Sequence, residues 1–162
     1  MIGPFRSRFR LHRNGDLDLR IEDHERELIG ELLEQLRKLL MGTTPQGAVD
    51  PSMRRLYPTA YPEDPGHDAE YQALIRDQLL ALRLEHLDRV EVTLNATTLT
   101  EAQSNSWIAV LNDLRLVLGT SLDVSEEEVI TSLDPEDPTT HPKAVYHYLG
   151  HLLGEIIDAV NP

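Results

Sequence analysis

A chain of 162 residues, 40% of them hydrophobic, is long enough to bury one continuous core as a single domain, and with no cysteine it excludes disulfides, thiolate nucleophiles, zinc–sulfur centres and cysteine-based redox sensing. Its formal net charge of −13 opposes the broad attraction to phosphate that dominates nucleic-acid affinity. No apolar run approaches the roughly 20 residues of a membrane span, and Met1–Phe9 lack the apolar stretch of a secretory signal, so the expected location is the cytoplasm.

The first element predicted is a β-hairpin over 1–21, because apolar and charged residues alternate from Phe5 to Ile21 on both sides of Asn14-Gly15. Loop length sets its register. A two-residue Asn-Gly loop would place Leu11 opposite Asp18 and mix the faces. A three-residue loop, Arg13-Asn14-Gly15 with Gly15 left-handed, pairs Leu11 with Leu17, Phe9 with Leu19 and Arg10 with Asp18. The three-residue loop is therefore expected, with Phe5, Phe9, Leu11, Leu17, Leu19 and Ile21 toward the core and Arg6, Arg8, Arg10 and Arg20 in a stripe facing water. Residues 1–20 hold five arginines against two aspartates, while the remainder holds ten basic against 26 acidic residues, so a basic arm precedes an acidic body.

Asp23 is the expected N-cap of a helix over 23–41, with Leu28, Ile29, Leu32, Leu33, Leu36, Leu39 and Leu40 on one stripe and Gly42 as its stop. Residues 42–66 carry Pro45, Pro51, Pro58, Pro62 and Pro65, which predict a meandering loop with one short helix opened by Asp50-Pro51. Leu56, Tyr57 and Tyr61 make that loop apolar enough to pack on the body. A helix over 68–93 follows from Tyr71, Leu74, Ile75, Leu79, Leu82, Leu87 and Val90; the β-branched Val90, Val92 and Thr93 give a short strand over 89–94 as the alternative ending. Thr100 with Gln103 is a capping box for a helix over 101–118, and Ser125 with Glu128 is another for a short helix over 126–133. Pro142 opens a last helix over 142–160, whose apolar stripe runs from Val145 to Val160.

The run from Trp107 to Gly119 is apolar around the whole helical circumference, which marks 101–118 as central and buried. Within it, Leu111-Asn-Asp-Leu-Arg-Leu-Val-Leu-Gly119 resembles the signature of an actinobacterial family known as domain of unknown function 2017, and Asp50–Tyr61 and Tyr146–Val160 agree with it. The likeness covers nearly the whole chain. It implies a regulator: some members are named oxidative-stress transcriptional regulators, and their gene often lies near that of a protease adaptor. For redox-regulated members it also implies a Cys-x-x-x-Cys pair near the N-terminus. Phe5 and Phe9 fill that spacing here, so this chain lacks the chemistry for such sensing.

Candidate sites are few. His147, His151 and Glu155 recur at steps of four, the spacing of weak metal ligands, but they lie opposite the apolar stripe and no glutamate follows the first histidine directly; a solvated polar face without metal is expected. Asn112, Asp113 and Arg115 stand on the buried helix, and a buried amide or charge needs partners, so a structural polar cluster is expected there, with a ligand pocket as the alternative. Arg6, Arg8 and Arg10 project from one strand face and suit carboxylates or phosphates, either on this molecule or on a partner. No Gly-rich phosphate loop, nucleophile elbow or nucleophile–histidine pair is present.

The expected fold is α+β and predominantly helical, an N-terminal β-hairpin packed on four to five helices around the central one. The expected function is that of a non-enzymatic cytoplasmic regulatory or adaptor protein, without cofactor, acting through protein–protein contacts, with stress response as the setting the resemblance implies. Its partner would be a protein of the transcription or proteolysis machinery, or a second copy of the chain. Direct DNA binding through the arginine stripe is one rival, disfavoured because no predicted helix has a basic face. A small-molecule binder or enzyme using the Asn112–Arg115 cluster is the other, disfavoured by the missing catalytic constellation.

Overall fold

The hairpin forms in the register that its alternation predicts. A computed structural model describes residues 7–42, 56, 63–122 and 140–161. Strand β1 (Phe9–Leu11) pairs antiparallel with β2 (Leu17–Leu19), Phe9 opposite Leu19, Arg10 opposite Asp18 and Leu11 opposite Leu17. The turn closes with His12 N–H donating to the Asp16 carbonyl at 2.8 Å and Gly15 N–H donating to the His12 carbonyl at 3.1 Å. Gly15 takes φ +93°, the left-handed position that a three-residue loop requires. Phe9, Leu17, Leu19 and Ile21 are buried, but Leu11, at the outer end of β1, is 36% exposed and does not join the core face as expected.

Helix α1 (Asp23–Met41) buries Ile29, Leu33, Leu36 and Leu40 along one stripe. Its N-cap is Glu22 rather than Asp23, and the Glu25 carboxylate reaches back to accept the Glu22 N–H at 2.8 Å. Helix α2 (Pro65–Thr93) begins earlier than the apolar spacing suggests, because the Asp64 carboxylate accepts the His67 N–H at 3.1 Å and Pro65 takes the first turn. It stays helical to its end. The strand expected as an alternative over 89–94 does not form, since Val90 and Thr93 are buried against the core and packing outweighs β propensity. Only the C-terminal part of its apolar stripe is inside: Leu87 and Val90 are buried, whereas Leu74 is 76% exposed and Leu82 48% exposed.

A two-residue strand, β3 (Thr98–Leu99), follows α2 and pairs with β2, Leu17 opposite Leu99, which makes a three-stranded antiparallel sheet in the order β1-β2-β3. Helix α3 (Glu101–Ser121) starts with the predicted capping box: Thr100 N–H donates to Gln103 Oε1 at 2.9 Å, and Gln103 N–H donates to Thr100 Oγ1 at 3.2 Å. Helix α3 packs against both α2 and helix α4 (Thr140–Val160), and it buries Trp107, Val110, Leu111, Leu114 and Val117. The α+β, mainly helical architecture is thus present. Among the described residues no helix is long and apolar enough to cross a membrane. Phe5, Arg6, the short helix expected within 42–66 and the one expected over 126–133 lie outside the described residues; Leu56, from the proline-rich stretch, is described and is buried as expected.

Side-chain bonds lock the end of α2 and the turn after it to their neighbours. The fully buried Trp107 indole N–H donates to Thr93 Oγ1 at 2.8 Å, and the same hydroxyl donates to the Arg89 carbonyl at 2.7 Å. Arg26 of α1 donates from Nη1 to the carbonyls of Leu94 and Ala96, covering backbone acceptors that the end of α2 leaves free.

Two substitutions test this frame by urea denaturation. Thr93→Val should cost about 1–3 kcal/mol, because it keeps the shape but leaves a buried indole N–H without an acceptor, and Thr93→Ser should retain most of that. Gly15→Val should cost about 1 kcal/mol or more by forcing a β-branched residue into the left-handed region. Stability equal to wild type in either case would contradict the corresponding contact or turn.

Candidate functional site

Arg8 does not face water as part of a free stripe. It stands just before β1, where its Nε donates to Glu25 Oε1 at 2.7 Å and its Nη1 donates to Glu155 Oε2 at 2.8 Å. Tyr148 of α4 donates its hydroxyl to the same Glu25 Oε1 at 3.0 Å, and its ring centre lies 5.9 Å from the Arg8 guanidinium carbon. With the Glu22 N–H on Oε2, a single carboxylate therefore joins β1, α1 and α4. Burial of Glu25 raises its pKa, but the Glu22 N–H, Arg8 and the Tyr148 hydroxyl outweigh burial, so the net pKa is lowered and the group stays ionised. Burial and the Glu25 charge push the Tyr148 phenol upward, which keeps it a donor.

Arg10 and Asp18 are opposite in register as predicted, but they form no ion pair with each other. Asp18 Oδ1 lies 2.7 Å from His12 Nε2 and its Oδ2 lies 3.2 Å from Arg20 Nη2, which satisfies the carboxylate and lowers its pKa through the His12 hydrogen bond first. Arg10 is left exposed, with no ion-pair partner among the described residues. Of the expected stripe, Arg6 lies outside the described residues, Arg8 and Arg20 are engaged within the molecule, and Arg10 alone points to solvent.

The expected Asn112, Asp113 and Arg115 cluster is not one cluster. Asn112 is exposed, which corrects the expectation of a buried amide: it lies two turns from exposed Asn105, on the same solvent-facing side of α3. Asp113 is buried and accepts from Arg83 Nη1 of α2 at 2.6 Å, and Arg83 Nη2 donates to the Leu56 carbonyl at 2.7 Å. Burial raises the Asp113 pKa by more than Arg83 and His86 lower it. This is the link from the central helix to a neighbouring helix and to the proline-rich stretch that a structural network requires. Arg115 turns the other way, its guanidinium carbon 5.0 Å from the centre of the Tyr146 ring on α4. Sequence reasoning missed Glu25, Tyr148 and Arg83, whose partners across the fold lie 17 to 123 positions away along the chain. The one signal for Glu25 was its place three residues after the cap position Glu22.

His147 and His151 are exposed on α4, whereas Glu155, expected on the same face, is turned to Arg8. An apolar cleft of about 120 Å³ lies between α1 and α3, lined chiefly by Leu32, Leu36, Leu39, Leu114, Val117 and Leu118. It holds no ionisable side chain and offers no chemistry of its own.

Residues 4–160 match the family described as domain of unknown function (DUF2017). The chain belongs to this family. Among curated proteins, the oxidative stress regulator AosR of Mycobacterium tuberculosis and that of Mycobacterium bovis are each 30% identical to it over 144 residues, which covers 78% of this chain and 63% of theirs. The putative oxidative stress regulator AosR of Mycobacterium leprae is 34% identical over 115 residues, covering 60% of this chain and 50% of its own. The chain thus spans less than two thirds of the length of these relatives. No solved structure matches it.

Glu25→Gln should lower stability by about 1.5–3 kcal/mol near neutral pH, the range for losing charge-assisted hydrogen bonds, with the half-exposed Arg8 keeping the loss toward the lower end. Because the folded-state pKa of Glu25 is depressed, its contribution is full above the ordinary glutamate range and fades as the pH falls through the folded value. Wild type should therefore lose stability on acidification more steeply than Glu25→Gln in chemical denaturation series. Parallel pH profiles would overturn the assignment.

Proposed function

We propose that this protein is a non-enzymatic regulator in a stress response, acting through contact with a protein partner that presents an acidic surface to the β-hairpin. The observation that carries this reading is Arg10: exposed and unpaired among the described residues, on a hairpin whose turn carries the exposed Arg13, while Arg8 and Arg20 are engaged within the molecule. The printed names of the mycobacterial relatives support the regulatory setting. The interior supports the non-enzymatic part. Its buried carboxylates Glu25 and Asp113 are each held by an arginine and tie structural elements together, and the Ser106 hydroxyl, 2.9 Å from His86 Nδ1, is fully buried and closed to a substrate. An exposed arginine that meets a carboxylate at a partner's surface steers association and selects the partner more than it adds affinity.

Arg10→Gln, alone or with Arg13→Gln, should leave stability within about 0.5 kcal/mol of wild type, as surface changes do, and weaken capture of the partner in pull-downs from native extract. The loss should be larger at low ionic strength than at high. Arg8→Gln should instead lower the melting temperature. Capture unaffected by Arg10→Gln would refute the reading. A promoter-DNA complex whose affinity falls with salt by a log–log slope of about −0.9 per neutralised phosphate, flattened by Arg10→Gln, would replace it with direct DNA binding.

A further inference from the structure

Helix α4 carries its apolar residues Leu149, Leu152 and Ile156 into the core and presents His147 and His151 to solvent one turn apart. Spacing alone gives a solvated face; the structure adds the convergence of the two rings. Their Nε2 atoms lie 3.1 Å apart, with the ring centres separated by 4.7 Å and the planes inclined at 81°. Two neutral imidazoles reach this geometry by sharing one N–H, and they also reach it by turning two lone pairs toward one point. An ion bound at the usual zinc–nitrogen distance of about 2.0–2.1 Å would see two nitrogens at that separation under an angle of about 100°, between the octahedral and tetrahedral values. An ion takes the place of the shared proton when the donating ring moves to its Nδ1–H tautomer, which leaves both Nε2 lone pairs free.

We propose that His147 and His151 form a two-imidazole chelate for a borderline divalent transition-metal ion, with zinc and copper as the natural members of the class. Imidazole nitrogens select such ions over magnesium and calcium, which take oxygen ligands. The chain has no cysteine, so no thiolate competes for the ion, and its net charge of −13 raises the local concentration of cations. Among the described residues no third histidine, aspartate or glutamate converges on the pair, and Glu155, one turn further along, is held by Arg8. Water therefore completes the coordination, so the ion is exchangeable and leaves positions open to a further ligand. This site is independent of the hairpin arginines.

The test is calorimetric titration of the full-length, tag-free chain with zinc chloride, alongside copper(II) binding followed by electron paramagnetic resonance. Wild type should bind one ion with nitrogen hyperfine structure from two imidazoles. His147→Ala and His151→Ala should each weaken binding at least tenfold, and His141→Ala, which removes another exposed histidine of α4, should leave it unchanged. Thermal unfolding by circular dichroism should show all three variants folded as wild type, which separates loss of the site from loss of the fold. No uptake by wild type at millimolar ion, or equal binding by wild type and a His147→Ala/His151→Ala double variant, would overturn the proposal.

Discussion

A fully buried tryptophan brings one polar hydrogen into the core, and the placement of that hydrogen governs much of this structure. The Trp107 N–H must find an acceptor because leaving it bare would cost more than a hydrogen bond ordinarily returns. Thr93 supplies it from the last turn of α2. That bond requires α2 to remain helical through its β-branched end, and it sets where the chain can leave toward β3. Leu99 then arrives beside Leu17, which closes the sheet over the same core. Arg26 finishes the junction from the other side by covering the carbonyls of Leu94 and Ala96.

Glu25 does comparable work where the hairpin meets the first and last helices. A carboxylate that is 5% exposed is tolerable only with its lone pairs occupied, and here a cap N–H, a guanidinium and a phenol occupy them. The three donors come from α1's own start, from the approach to β1 and from α4, so the charge holds the hairpin against both the first and the last helix. The Arg83–Asp113 pair repeats the principle between α2 and α3, with the Leu56 carbonyl drawn in as a second acceptor. Interior polarity in this protein is used for joining elements.

What is left for recognition lies outside. The hairpin offers Arg10 and Arg13, α4 offers the His147–His151 pair, and α2 exposes Leu74 and Leu82. These features occupy separate elements and differ in chemistry: a fixed positive charge, a pair of metal-binding nitrogens and an apolar surface.

The local signals were legible from the residues because their causes are local. Alternation about Asn14-Gly15 determined the hairpin register, Thr100 with Gln103 determined the start of α3, and the apolar circumference of Trp107–Gly119 determined that this helix is central. Asp64-Pro65 was an equally local start signal for α2, masked by apolar spacing that begins later. Strand β3 is only two residues long and leaves no period to read. The rest belonged to tertiary structure. Whether Arg8 faces water or Glu155 depends on a contact across 147 positions, and whether Asn112 is buried depends on which seam of α3 its neighbours leave uncovered. Spacing along a helix specifies a face, but only the packed neighbours decide what that face meets, because side-chain partners are chosen by proximity in space and by the need to satisfy every buried charge.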